Sequence, residues 1–200
     1  MPHINDILKK GEALRNRLQQ MLSEKEHPCE DINNLLAAYA DIALEHHQSI
    51  YLLVDRKLCG SAFTLVRPLF ETFFRAYWVY GCATKKQVHE IYNNDHFHFP
   101  KTDDMAQSID EKYASDTFFS TLRDSSWAAM CSYTHSGLLQ VGRRFTGNII
   151  KPNYSEGAIL EALNSTNWVI IFIIRLYFIG TNQIPEVKEI EKLILEYTKT

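Results

Sequence analysis

Ser61-Ala62-Phe63-Thr64-Leu65-Val66-Arg67-Pro68-Leu69-Phe70-Glu71-Thr72-Phe73-Phe74-Arg75-Ala76-Tyr77-Trp78-Val79-Tyr80-Gly81-Cys82-Ala83 is the stretch that decides the fold. Wound as a helix, it sets Phe63, Leu65, Val66, Leu69, Phe70, Phe73, Phe74, Tyr77, Trp78 and Val79 over most of its circumference. A helix apolar nearly all round belongs at the centre of a bundle, where other helices cover every face. The expectation is therefore an all-α fold, a helical bundle of about six to eight helices around a buried central helix at about Ser61–Ala83. Pro68 should kink that helix or shift its start, because proline removes a backbone donor and clashes with the preceding turn.

Outward from this helix, toward the N-terminus, Ile7, Leu8, Leu14, Leu18 and Met21 recur at helical spacing and predict an amphipathic helix from Asn5 to Leu22, capped by Asn5 or Asp6. A second helix is expected from Asp31 to about Leu58, burying Leu35, Leu36, Tyr39, Ile42, Ala43, Ile50, Leu53 and Val54. Cys59-Gly60-Ser61 reads as a break, with Gly60 in a left-handed C-terminal position and Ser61 as the next N-cap. Past the central helix a short helix over Lys85–Tyr92 is expected. Residues 93–115 then read as an exposed excursion, with a loop through Asn93–Thr102 and a short helix over Asp103–Tyr113. A helix over Asp116–Thr134 should break at Ser136-Gly137, with Leu138–Phe145 forming another turn or two and Gly147–Tyr154 a loop. Helices over Ser155–Ile179 and Pro185–Tyr197 close the chain.

With 200 residues, 46% of them hydrophobic and 12% aromatic, the chain can bury one sizeable core, and 1–200 is expected to be a single helical domain. A formal net charge of -3 supplies no global attraction for phosphate backbones, so charge does not point to nucleic acid. Cys29, Cys59, Cys82 and Cys131 show no C-x-x-C pairing. Met1-Pro2-His3-Ile4-Asn5-Asp6 lacks the pattern of a signal peptide, so a cytoplasmic protein with reduced thiols is expected. The most membrane-like run, Trp168–Gly180, is too short to span and contains Arg175, which argues for a core helix and against a membrane partner.

Two constellations could carry chemistry. Arg67, Glu71 and Arg75 stand four residues apart and share one side of the central helix with Thr64 and Trp78. Charges on such a helix are costly unless paired, so they serve structure, as a salt ladder pinning neighbouring helices, or specificity or function. The second constellation is Ser132-Tyr133-Thr134-His135-Ser136-Gly137, followed by Gln140, Arg143 and Arg144. His135 falls near a helix C-terminus, where the dipole favours the protonated imidazole and a nearby Glu71 would reinforce it. If the two helices pack, Arg67, Glu71, Arg75 and His135 make one polar cluster; otherwise His135 and Tyr133 satisfy helix ends within the bundle.

Arg67-Pro68-Leu69-Phe70-Glu71, preceded by Gly60-Ser61-Ala62-Phe63 and followed by Arg75-Ala76-Tyr77-Trp78, and then Tyr133-Thr134-His135-Ser136-Gly137, resembles a family of uncharacterised bacterial all-helical proteins. The resemblance spans Tyr51 to Arg144. It implies a bundle with a polar cluster of Arg67, Glu71, Tyr133 and His135, in a setting of bacterial defence and toxin systems, and no established reaction. In outline such bundles are similar to the HEPN ribonucleases, whose active site is an arginine followed a few residues later by histidine on one helix. This sequence departs from that pattern, since Arg123 lies too far before His135 and Arg143 follows it.

Metal ligation is poorly provided for. Glu45-His46-His47 turns its histidines to different helix faces, Glu24-x-x-His27 occurs once, and His96-x-His98 is a single pair, so neither metal nor cofactor is expected. The chain has no intact catalytic motif, no phosphate-cradling glycine loop and no basic surface. That favours a non-enzymatic protein-binding bundle, an immunity- or antitoxin-type partner of a basic toxin or nuclease in bacterial competition or defence. Asp103, Asp104, Asp110, Glu111 and Asp116 form the expected docking edge, a solvated helix face being the alternative for those charges. The competing expectation is an RNA-acting enzyme, with His135 as acid or base, Tyr133 beside it and Arg67 or Arg143 stabilising a phosphoryl transition state near Glu71. A homodimer is compatible with either.

Overall fold

The computed structural model of the protein describes residues 3–23 and 30–198, so Cys29 and the Glu24-x-x-His27 pair lie outside the described residues. In chain order the elements are α1 (Ile4–Ser23), α2 (Asp31–Asp55), α3 (Cys59–Gly81), α4 (Lys85–Asn93), α5 (Thr102–Tyr113), α6 (Phe118–Thr134), α7 (Leu138–Gly142), β1 (Phe145–Thr146), β2 (Ile149–Ile150), α8 (Glu156–Gly180) and α9 (Ile184–Thr198). The fold is all-α, as the apolar periodicity requires. Its only sheet among the described residues is the β1–β2 hairpin, which pairs Phe145 with Ile150 and Thr146 with Ile149.

Two helices share the centre. α3 packs against α2, α5, α6 and α8, and buries Leu69, Phe73, Phe74 and Val79 almost completely. α8 packs against α1, α2, α3 and α9, with Leu163, Ile170, Ile174, Tyr177 and Phe178 inaccessible to water. By length and composition α8 is long and apolar enough to cross a membrane, which the shorter run Trp168–Gly180 did not suggest. Its most apolar window is more than half buried by the other helices, and Arg175 is paired with Glu191 of α9 at 2.9 Å.

Several local expectations are corrected. α2 ends at Asp55, and the left-handed residue that turns the chain is Lys57 (φ 60°) rather than Gly60. Gly60 lies inside α3, where Leu58 rather than Ser61 is the N-cap residue. A Cβ at position 60 would overlap the Arg144 guanidinium and crowd the Tyr154 hydroxyl at 3.0 Å, so a larger residue there would have to displace the Arg144 side chain. On α2, Ile42 is exposed and His47 occupies the buried face in its stead. Pro68 does not shift the start of α3, since the helix runs through it. At the end of α6 the expected break at Ser136-Gly137 is present, with Ser136 in the left-handed conformation (φ 54°). Phe145, expected to end the α7 turns, and Ile149 and Ile150, expected in a loop, instead pair in the hairpin, whose two-residue turn has left-handed Gly147 in its first position.

Residues 93–115 are not exposed throughout. α5 packs on α3 and α6 and buries Met105, Ala106 and Ile109. Asp110, expected on a docking edge, is also buried. Its carboxylate accepts the Ser115 hydroxyl at 2.5 Å and the backbone N–H groups of Phe119 and Ser120, each at 2.8 Å. It thus caps α6 from a distance. Asp116 and Thr117 sit in the left-handed region, so α6 starts at Phe118 rather than Asp116. With Ala114 also left-handed (φ 48°), three non-glycine residues of this turn carry backbone strain that the Asp110 bonds offset.

Burial works to raise the Asp110 pKa, but the bonds from Ser115, Ser120 and Phe119 outweigh it and hold the group below the usual carboxylate range. A depressed folded-state pKa contributes stability that is present above the unfolded value and lost as pH falls through the folded one. Asp110→Ala is therefore expected to cost about 1–3 kcal/mol in urea unfolding at pH 7, from the loss of the cap and of charged hydrogen bonds. The difference from wild type should narrow on acidification below pH about 4.

Candidate functional site

Pro68 lies four residues after Thr64, so the Thr64 carbonyl is denied its usual donor within α3. The Thr134 hydroxyl, at the end of α6, approaches that carbonyl at 3.3 Å, and the Thr64 hydroxyl approaches the Tyr133 carbonyl at 3.3 Å. Each hydroxyl has one proton and divides it with its own helix, Thr134 with Met130 O at 2.9 Å and Thr64 with Gly60 O at 3.0 Å. This reciprocal contact fixes the register of α6 on α3.

One consequence is a polar cluster half-exposed at the surface. Arg67 Nη2 pairs with Glu71 Oε1 at 3.0 Å, Arg67 Nη1 meets His135 Nε2, and the guanidinium lies 5.2 Å from the centre of the Trp127 ring. A guanidinium has only donors, so His135 Nε2 accepts and the ring proton sits at Nδ1. The imidazole therefore meets Arg67 rather than Glu71. Arg75 does not join this cluster: its guanidinium lies 4.6 Å from the Phe99 ring centre, and it forms no ion pair with Glu71. The other residues of an RNA-cleaving set are elsewhere. The Tyr133 ring packs on Phe63 at 4.9 Å, and Arg143 donates to Asn153 O at 3.3 Å.

Of the acidic edge, Asp110 is committed to capping α6 and Asp103 is paired with Arg123 at 3.4 Å. Asp104, Glu111 and Asp116 remain exposed, with Glu111 accepting from Gln107 at 3.1 Å. Among the described residues no group of three or more His, Cys, Asp or Glu is placed to hold a metal ion.

A second polar cluster, absent from the sequence reading, joins α2, α8 and α9 in the core. His47, inaccessible to water, meets Asn167 Oδ1 through Nε2 at 2.7 Å. Tyr51 stacks on the His47 ring with centroids 4.2 Å apart and donates its hydroxyl proton to the same Oδ1 at 2.8 Å. The Asn167 amide nitrogen donates to the Tyr197 hydroxyl. Since Oδ1 only accepts, Nε2 carries the His47 ring proton and Nδ1 is left with a lone pair, buried and without a partner. Burial, more than the weaker influence of Arg15, pushes the His47 pKa down to about 4 against the opposing bond to Asn167. His47 and Tyr51 also line a cleft of about 520 Å³ between α1 and α2. The available signals were a histidine spaced with Ala43, Ile50 and Val54, a tyrosine one turn on, and an asparagine inside the apolar run of α8.

The family described as "Family of unknown function (DUF6988)" matches residues 40–200. The chain belongs to this family. No curated protein and no solved structure matches it. The DUF6988 segment contains both polar clusters in full, whereas α1, the outer wall of the cleft, precedes it.

Thr134→Val is expected to lower stability by about 1–2 kcal/mol, because the Thr64 carbonyl then has neither proline's missing donor nor a substitute, while Thr134→Ser retains most of it. Thermal or urea unfolding checks this. For His47, the unfolded state binds more protons than the folded state between pH about 6.5 and about 4, so stability must fall as pH is lowered through that window. The expected loss is about 3 kcal/mol from pH 7 to 4, and His47→Gln should flatten the dependence in urea titrations across that range.

Proposed function

We propose that this DUF6988 chain acts by binding another protein, in the manner of an immunity or antitoxin-type partner in the cytoplasm, and that residues 138–150 form the contact. The observation that carries this reading is an apolar ridge. Leu138, Leu139, Val141, Phe145, Ile149 and Ile150 are six of the fourteen large hydrophobic side chains exposed among the described residues, concentrated in α7 and the hairpin. No residue from 138 to 150 is buried, and each of these six apolar side chains is at least 44% exposed although Gln140 ties α7 to Gly60 O of α3 at 3.1 Å. Patches of this kind mark interaction surfaces.

The ridge is bordered by the part-exposed Arg143 and the exposed Lys151, while Arg144 turns its guanidinium onto Gly60 of α3. A partner face that is apolar at its centre and acidic at its rim complements it. This favours a partner of opposite charge to the basic nuclease suggested by the acidic residues of α5. A second copy of the chain would oppose basic rim to basic rim. A membrane fits less well, because the five-residue α7 is too short for an interfacial amphipathic helix, whereas the hairpin edge can pair its backbone with a partner strand. Of the expected RNA-cleaving set only Arg67 meets His135, while the Tyr133 ring packs on Phe63 and Arg143 is bonded to Asn153 O, which supports a non-enzymatic reading over RNA cleavage.

The test is affinity capture from the host's lysate with three proteins: wild type, Leu138→Asp/Ile150→Asp, and Asp104→Lys/Glu111→Lys. A stoichiometric acidic partner should be held by wild type and by the α5 variant, and its affinity for the ridge variant should fall by about two orders of magnitude. Retention by the ridge variant with loss in the α5 variant would return the contact to the acidic edge. Self-association in light scattering, flotation with anionic vesicles, or RNA cleavage that disappears in His135→Ala would each overturn the proposal.

A further inference from the structure

α1 forms one wall of the buried polar cluster without bonding to it. Gly11, which is buried, lies against Tyr51 so closely that a Cβ there would overlap the phenol ring and its hydroxyl. Tyr51 stacks on His47, and both line the cleft together with Leu8, Lys9, Glu12 and Arg15 of α1. The bonds of the cluster run elsewhere, from His47 and Tyr51 of α2 to Asn167 of α8, and from Asn167 to Tyr197 of α9. The wall is unevenly held. Residues 4–15 of α1 bury Ile7, Gly11 and Leu14, whereas residues 16–23 bury Leu18, Met21 and Leu22 and carry the Arg17–Glu189 ion pair.

Proton uptake at His47 acts on this wall. Nε2 already carries the ring proton, so a second proton enters at Nδ1, which is sealed from water and has no partner. A buried cation without a compensating partner is costly. The charges lining the cleft are Lys9, Glu12 and Arg15 of α1 and Asp55 of α2; of these, Arg15 acts on the ring and opposes a second positive charge. Glu45 and His46, its neighbours on α2, turn to other faces of that helix. α8 and α9 present the neutral Asn167 amide and Tyr197 hydroxyl, while the charges of α3 lie elsewhere, Arg67 and Glu71 beside α6 and Arg75 on Phe99. Water reaching Nδ1 relieves the cost, and α1 can lift without breaking a single bond of the cluster.

We infer that residues 4–15 of α1 are a proton-sensitive lid, closed over the His47–Tyr51–Asn167 cluster while His47 is neutral and lifted from Tyr51 when Nδ1 takes a proton, with residues 16–23 as the anchored half. The lid shares no residue with the ridge at 138–150, so it stands or falls independently of the proposed protein contact.

Burial holds the His47 pKa down at about 4 in the closed state, and water restores the ordinary value of about 6.5 in the lifted one. The lifted state therefore binds more protons and gains as pH falls between those values, its population relative to the closed state rising about 20-fold from pH 7 to 5.

The experiment is native-state amide exchange of the full chain, followed residue by residue in NMR at pH 7 and pH 5 and corrected for intrinsic exchange. Amides of residues 8–15 should be less protected than those of residues 18–22, and their protection should drop about 20-fold at pH 5. His47→Gln, which keeps a donor for Asn167 Oδ1, should remove that drop. Gly11→Ala, which crowds Tyr51, should weaken protection of residues 8–15 at pH 7. In that variant the His47 titration, read from its imidazole ¹⁵N resonances, should move up toward the ordinary histidine range, a result that does not depend on whether the glutamine variant folds. Protection of residues 8–15 that is the same at both pH values in the wild type would overturn the inference. So would equal protection of residues 8–15 and 18–22 throughout, a drop that persists in His47→Gln, or a His47 titration unmoved in Gly11→Ala.

Discussion

Pro68 removes a backbone donor from the middle of one of the two central helices, and the carbonyl it deprives, that of Thr64, faces α6. An unpaired buried carbonyl costs on the order of 1–3 kcal/mol, so the helix that covers it must bring a donor. Thr134 does so, and Thr64 returns a proton toward Tyr133 O. Because these contacts are made by single atoms on each helix, they define a register, which generic apolar packing between α3 and α6 would leave freer. Everything at the end of α6 follows from that register. Tyr133 is turned onto Phe63, and His135, two residues on, reaches Arg67.

The two polar clusters obey different economies. Arg67 and Glu71 keep side-chain exposures of 21% and 28%, so their ion pair is partly hydrated and its net worth is modest. The Trp127 face beneath Arg67 adds cation–π attraction and fixes where the guanidinium lies. The His47–Tyr51–Asn167–Tyr197 cluster is buried deeper and carries no formal charge at neutral pH. Its bonds join α2, α8 and α9 at Asn167, so loss of that side chain strands polar atoms on two other helices.

The sequence reveals what depends on local periodicity. The central position of α3, most helix boundaries and the Arg67–Glu71 pair are read from spacing alone. What escapes it depends on distant partners. Arg75 has the same four-residue spacing from Glu71 as Arg67, yet the loop before α5 brings Phe99 to it, and no spacing within α3 encodes that. Asp110 looks like part of an acidic run, while its partners lie nine and ten residues downstream across a turn with three left-handed residues. Two-residue strands are too short for alternation to register, so the hairpin was read as helix and loop. On α2, treating Ile42 as core rotates the assumed face and hides His47, which shares the buried side with Ala43 and Ile50.

The division of labour along the chain follows from where these features sit. Arg67, His135, the core cluster and the ridge all fall within the segment matched by the family, so the scaffold and its buried acceptor belong to the DUF6988 unit. The charged side chains along the outer wall of the cleft come largely from Lys9, Glu12 and Arg15 of α1, which precede that segment. His47 Nδ1 is held in place by bonds to α8 regardless of what α1 carries, because its orientation is set through Nε2 and the Tyr51 stack. Charge on the outer wall can therefore change without disturbing the inner acceptor, which separates the rim of the cleft from the residues that maintain the fold.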